Sequence, residues 1–362
     1  MSARLLVSTR KGLFTFLREA GRWAVERVSF LGQNVTLTHA GPAGWHAALN
    51  LGHFGVKLHH STDEGRSWEE RAVPAYPEGE MVVTGDGKPH RPASLQMIWS
   101  LEKGEHPEQL WAGTLPGGLF RSDDAGRSWS LNRPLWDHPE RHQWCGGGYD
   151  WPGIHSLCVD PRSPRTVRLA VSTGGVWTSH DAGASWRNVG TGLFAEYMPP
   201  ELRHVLNIQD VHRMAQSPSS PERVWVQHHN GVFRSDDGGE TFTNLPDVPP
   251  SVFGFAVAVH PLDPDTAWFA PAQKDEVRVP VGGRVVVART RDGGKSFTAI
   301  TEGLPQEHAY DLVYRHGLAV DSSGSTLALG STTGGLWVSE DEGSSWRPVP
   351  ARLPPVHAVC FA

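Results

Sequence analysis

The sequence predicts an all-β chain built as a seven-bladed β-propeller. Three observations carry this: a turn-rich composition, an eight-residue motif that recurs six times, and two chain ends that each look like part of one blade. The 362 residues include 40 Gly, 28 Pro and 15 Trp, with 20% charged residues. That balance suits short strands joined by tight turns and excludes an all-helical chain. Hydrophobic residues make up 38% of the chain, enough apolar surface for a large core and too much for wholesale disorder.

The recurring octet reads STDEGRSW at Ser61–Trp68, SDDAGRSW at Ser122–Trp129, SHDAGASW at Ser179–Trp186, SDDGGETF at Ser235–Phe242, TRDGGKSF at Thr290–Phe297 and SEDEGSSW at Ser339–Trp346. Its aspartates, Asp63, Asp124, Asp181, Asp237, Asp292 and Asp341, are spaced by 61, 57, 56, 55 and 49 residues. That period suits one four-stranded blade per copy. The chemistry of the octet is that of a hairpin clip. Aspartate at the third position accepts hydrogen bonds across the turn, glycine at the fifth takes the positive φ that closes it, and the terminal aromatic packs back between strands. The octets resemble the Asp-box repeat of bacterial neuraminidases, and through it the sialidase-like β-propeller superfamily. The resemblance implies a scaffold in which these aspartates are structural, not catalytic.

Taken in order, the opening RLLVSTRKGLFTF of Arg4–Phe16 matches the later strands of a blade such as LALGSTTGGLWVS, Leu327–Ser339. Its turn around Glu19–Trp23 reads as a degenerate octet. First strands recur as IHSLCVD from Ile154, VHRMAQSP from Val211, FGFAVAVHP from Phe253 and RHGLAVD from Arg315. The closing VHAVCFA, Val356–Ala362, is a first strand with no blade after it. The termini therefore complete one blade between them, which makes seven in a single domain over residues 1–362.

Partner classes follow from charge. A net charge of -6, with no Lys/Arg run longer than a pair, lacks the footprint needed to grip phosphate backbones, so neither nucleic acid nor an anionic membrane is an expected partner. The opening residues hold no apolar stretch of signal-peptide length and no eighteen apolar residues run together, which makes a cytoplasmic protein the expectation. Cys145, Cys158 and Cys360 show no CxxC spacing, so neither a disulfide framework nor a structural zinc knot is indicated.

In a propeller the octet turns lie on one face, and the remaining loops on the other carry function. Here those loops are long: 73–94, 133–153, 188–210 and 272–284. They supply Tyr149, Asp210, Lys274, Asp275 and Arg278, together with His228 and His229 from the turn QHHNG. Superimposing the first strands puts His155, His212, His316 and His357 at one repeat position, with Phe255, Gln96 and Asn34 as the other equivalents. Converging imidazoles suit a divalent cation such as zinc or manganese. Arg213 and Arg315 each sit beside one of these histidines and, with Arg278, could clamp an anionic substrate group.

The sialidase resemblance implies an Arg-Ile-Pro motif early in the chain, an arginine cluster, a Tyr/Glu nucleophile pair and an Asp acid/base. Arg278-Val279-Pro280 is the nearest echo and it sits late, so a typical sialidase is not expected. Uronate lyases with seven-bladed propellers are similar in architecture. The reading is a cytoplasmic hydrolase or lyase for a small saccharide-like or carboxylate-bearing substrate. In it the four histidines hold the metal, Tyr149, Asp210, His228 or His229 moves the proton, and Lys274, Asp275, Arg278, Arg213 and Arg315 bind substrate. The rival is a non-catalytic propeller of the photosystem assembly-factor type that binds a protein or glycan.

Overall fold

A computed structural model describes residues 2–362. The chain is a seven-bladed β-propeller with almost no helix, made of seven four-stranded sheets and one small two-stranded one. Six sheets run in chain order, one per octet. Blade 1 spans Val35–Gly41 to Glu69–Arg71, blade 2 Met97–Lys103 to Ser130–Leu131, and blade 3 Ile154–Val159 to Arg187–Val189. Blade 4 spans Val211–Gln216 to Thr243–Leu245, blade 5 Gly254–Val259 to Thr298–Ile300, and blade 6 Leu318–Val320 to Arg347–Pro348. Among the described residues, no helix is long and apolar enough to cross a membrane, and no disulfide joins the cysteines.

Blade 7 is the shared one. Its strands, in sheet order, are Arg22–Ser29, Gly12–Glu19, Arg4–Thr9 and Val356–Phe361. Arg4–Thr9 is central, pairing Leu5 with Phe16 on one side and with Phe361 on the other. Leu5, Val7, Phe16, Val338, Val356 and Val359 form the cluster beneath it. The turn expected to be a degenerate octet is instead a two-residue hairpin turn. Ala20 (φ 48°) and Gly21 (φ 76°) both take positive φ between the paired Glu19 and Arg22, which matches the twist of the flanking strands.

The chain divides into two compact units, and each is described by itself. The first holds residues up to Thr38, Ala215–Asp236 and Thr243–Ala362; the second holds His39–Met214 and Asp237–Phe242. In the second, Trp111, Trp144, Leu169 and Trp177 are fully buried in one cluster. In the first, Trp268, Val287, Leu327 and Leu329 anchor another.

The octets behave as hydrogen-bonded clips. Asp63 Oδ1 accepts from the Ser67 amide (2.9 Å) and the Ser61 hydroxyl (2.8 Å), while Oδ2 accepts from the Ser67 hydroxyl (2.6 Å). Asp124, Asp181, Asp292 and Asp341 repeat this set. These bonds to the ionised form hold the Asp181 and Asp292 carboxyls at about 2, below the ordinary range. Glycine at the fifth position takes positive φ as expected, but so does the fourth residue, among them Glu64, Ala125, Ala182 and Glu342. The fold therefore tolerates a non-glycine in the left-handed region at the clip, where its hydrogen bonds outweigh the strain.

Candidate functional site

One local irregularity shapes the site. A first strand in blade 3 pairs Ile154 with Val171 and Ser156 with Ala170, so His155 is the extra residue of a β-bulge. In blade 2 Ile98 pairs with Thr114 and Ser100 with Gly113, so the bulged residue is Trp99. In blade 7 Val356 pairs with Thr9 and Ala358 with Ser8, which leaves His357 out of register. A bulge re-aims one side chain per strand, and bulges gather beside functional sites. The equivalent of His155 in blade 2 is thus Trp99, not Gln96. The segment Ile98-Trp99-Ser100-Leu101 aligns with Ile154-His155-Ser156-Leu157, a signal present in the sequence itself.

In the second unit the bulge residues meet an aromatic wall. Trp99 packs edge-on against His155 (5.4 Å between centroids) and against Tyr149 (5.1 Å). Tyr149 is half-exposed, so a ring is offered to solvent on a buried support. His155 is fully buried, with Nδ1 in hydrogen-bond contact with the Ser156 hydroxyl at 2.9 Å. Nearby, Asp210 Oδ2 lies 3.7 Å from His212 Nε2. Tyr197 donates its hydroxyl to the Ile208 carbonyl (3.1 Å). Burial, then the Asp210 charge, pushes its phenol well above its ordinary value.

Two long loops carry these groups and are tied together. Asn207 donates to Glu140 Oε2 (3.2 Å) and Gln143 Oε1 (3.4 Å), and Asn188 donates to Asn207. The amides of Gly174 and Gly175 both donate to the Gln209 carbonyl, at 3.2 and 3.0 Å. Arg141, buried over the Trp136 ring at 3.5 Å, pins the first loop from beneath. Gly147 sits so close that a Cβ there would lie 2.7 Å from Thr173 Oγ1 and 3.3 Å from Asp210 Oδ1. A side chain on the backbone two residues before Tyr149 would thus meet the Asp210 carboxylate.

The first unit holds a second cluster. Phe255 sits at the repeat position that carries histidine elsewhere, and the guanidinium carbons of Arg278 and Arg315 each lie 5.4 Å from its ring. Tyr314 and Phe253 pack edge-on against Phe255 at 5.2 and 5.3 Å, and His229 against Phe253 at 5.7 Å. Two cations on one aromatic ring make a cation–π platform. Burial works against the Arg278 charge, but hydrogen bonds to Asp275 and Tyr314 win and raise its pKa. Arg278 Nη2 is 2.6 Å from Asp275 Oδ1, so Asp275 orients this arginine. Lys274 points to Glu276 at 3.5 Å.

Several expectations are corrected by these contacts. Arg213, expected to bind substrate, spends Nη1 on the His155 carbonyl at 3.1 Å, and burial lowers its pKa. His228 is fully buried against Phe233 with Nδ1 accepting from the Asn230 amide (3.1 Å), so it is committed to the turn. His229 points the other way, toward Phe253, as alternation in an extended segment requires. His357 donates Nε2–H to Asn34 Oδ1 at 2.8 Å, and burial lowers its pKa. The His316 backbone bridges to Ala358. Among the described residues, neither unit by itself brings three His, Cys, Asp or Glu ligand atoms to one point. His155 and His212 belong to one unit, His316 and His357 to the other. Within a unit, the Asp210–His212 pair is the grouping nearest to a cation site.

Comparison with known proteins bears on this geometry. No known protein-family profile matches the chain. An oligoxyloglucan-reducing end-specific xyloglucanase of Emericella nidulans is 32% identical over 83 residues, which is 23% of this chain and 9% of that protein. Among solved structures, an ancestral GH74 enzyme superimposes with a TM-score of 0.58 at 18% identity, covering 85% of this chain and 36% of that one. YCF48 bound to D1 peptide gives 0.51 at 14% identity, covering 87% and 82%. YCF48 from Cyanidioschyzon merolae gives 0.51 at 12%, covering 89% and 85%. The structural likenesses establish the propeller fold, and this chain spans about a third of the GH74 enzyme's length.

Proposed function

We propose that this protein is a carbohydrate-active propeller that cleaves a glycosidic bond at the Asp210 corner. The observation that carries the reading is a nearly buried carboxylate beside His212, on a rigid loop base, next to the solvent-facing ring of Tyr149. Sugar rings present C–H faces that pack on aromatic rings, and a desolvated carboxyl is the group type that exchanges a proton with a glycosidic oxygen. In this reading Asp210 moves that proton, with His212 Nε2 3.7 Å from its Oδ2. Tyr149 over Trp99 seats a sugar ring. A zinc or manganese ion held by Asp210 and His212 would instead act as a Lewis acid, in place of proton transfer by Asp210, and metal analysis of untagged protein tests it. The local match to a xyloglucanase supports a β-glucan-type substrate.

The test is reducing-end release from xyloglucan oligosaccharides and related β-glucans by the parent protein and by Asp210→Asn. The variant is expected to lose roughly 10²- to 10⁴-fold in kcat with KM little changed, the range for removing a general acid or base. Equal turnover by parent and variant, or no release from any substrate of the panel, overturns the reading. A second reading, a non-catalytic binder, is favoured by one observation: this chain covers 82% of YCF48 but 36% of the GH74 enzyme. Saturable glycan binding without turnover would select it.

A further inference from the structure

The outer strand of blade 7, Arg22–Ser29, is eight residues long, against two or three in the other six blades. It ends its sheet, paired on one side with Gly12–Glu19. An unpaired edge of this kind invites another strand.

Register decides which backbone groups the edge offers. Glu19 and Arg22 close a two-residue hairpin turn, so they bond to each other, and the bonding alternates along the strand. Arg22 and Ala24 therefore bond inward, while the N–H and C=O groups of Trp23 and Val25 point out of the sheet. Phe16 pairs with Val25 and Thr15 with Arg27, so Glu26 is the extra residue of a bulge that ends the regular stretch. Side chains alternate between the faces. Arg22, Ala24 and Glu26 are all exposed. Arg4 pairs with Leu17 and Leu17 with Ala24, which puts Arg4 on the Ala24 face, and there Arg4 Nε donates to Glu26 Oε2 at 3.2 Å. Trp23 and Val25 share the opposite face, Trp23 buried and Val25 45% exposed.

We propose that this edge pairs with the same edge of a second copy of the chain, antiparallel about a two-fold axis at Ala24. Trp23 of each copy then lies opposite Val25 of the other, and the two pairs exchange four backbone hydrogen bonds. Other registers waste the edge. An axis between residues sets an outward residue against an inward one, an axis at Trp23 sets Val25 against the turn residue Gly21, and an axis at Val25 sets Trp23 against Arg27 beyond the bulge.

The side chains are self-complementary in the one register that uses every outward group. Ala24 meets its own copy at a non-hydrogen-bonded pair, where strands approach to about 4.5 Å and a small residue fits. Arg22 of each copy faces Glu26 of the other, so a mixed-sign edge becomes two opposite-charge cross-strand pairs. Val25, exposed in the single chain, is covered by the second copy's Trp23.

The test is sedimentation equilibrium of the full chain from about 5 to 500 µM, the range of a small interface. A monomer–dimer equilibrium is expected. Arg22→Glu sets two carboxylates together at each contact and Glu26→Arg sets two guanidiniums together, so each variant alone should dimerise about tenfold more weakly. Mixed one to one, with fluorescein on one of them, the two variants should pair within about threefold of the parent affinity, because both contacts again join opposite charges. Val25→Pro removes an outward N–H and leaves the bonds to Gly12–Glu19, so the folded variant should be monomeric. Monomer throughout the range, either charge variant dimerising like the parent, a mixture no tighter than its components, or a dimer persisting in folded Val25→Pro overturns the proposal. Glycan turnover is read separately, so failure here leaves the Asp210 reading standing.

Discussion

Removing residues 356–362 should unfold blade 7. In the intact chain this segment pairs with Leu5–Thr9, the central strand of the shared sheet. It buries Val356, Ala358 and Val359 at 2, 2 and 6% exposure. Two valines are worth roughly 1.5–3 kcal/mol each on burial. About four ladder hydrogen bonds add roughly 0.5–1.5 kcal/mol each. The loss is then of order 5–12 kcal/mol, comparable to the whole net stability of a typical domain. A milder probe calibrates it: Val356→Ala removes two methyl groups and should cost roughly 2 kcal/mol. For 362 residues melting as one unit that is about 3 °C. The assay is soluble yield and calorimetric melting of parent, Val356→Ala and the truncation. A soluble truncated protein with an unchanged melting temperature would refute the closure argument outright.

Other outcomes follow from the same contacts. His46, His60 and His39 lie together in the second unit, with His46 stacked on His60 at 4.4 Å and Arg71 donating to His60 Nδ1 at 3.0 Å. Burial lowers all three pKa values, His46 to about 3. The unfolded chain therefore takes up these protons first as pH falls below about 6.5, so this contribution is present above that pH and is lost toward pH 3. Near pH 5 a fully buried neutral histidine costs about 2 kcal/mol. His46→Gln should flatten urea-derived stability against pH between 7 and 5, and an unchanged slope would count against the burial argument. Gly303→Ala should lower melting by several degrees. It combines φ of 77° with a Cβ that would lie 1.7 Å from the Trp346 carbonyl oxygen, so a variant as stable as the parent is the refuting result. Gly147→Ala should reduce glycan turnover more than stability, because its Cβ presses on the loop face of Asp210; equal losses of both would argue for a purely structural glycine.

Fold and site were legible in the sequence to different degrees. Six octets at blade spacing specify six of the seven blades because the clip is local: the Asp63 carboxylate bonds Ser61 and Ser67. The split blade was legible too, since Val356–Ala362 carries a first-strand pattern with nothing after it. The ring of histidines was not decided there. Repeat register places a Cα, but a bulge and its neighbours decide which ring nitrogen remains available. At His357 that nitrogen goes to Asn34, 323 residues away in the chain. Arg213 likewise reads as a substrate clamp beside a histidine, yet its guanidinium reaches the carbonyl of His155, 58 residues earlier. Nor does any linear pattern bring Gly147 against Asp210, or set Arg278 and Arg315 on one phenyl ring. Short-range hydrogen bonding is encoded within eight residues and repeats faithfully. Side-chain commitment depends on partners that only the packed blades bring within 3–5 Å, and that step belongs to the tertiary structure.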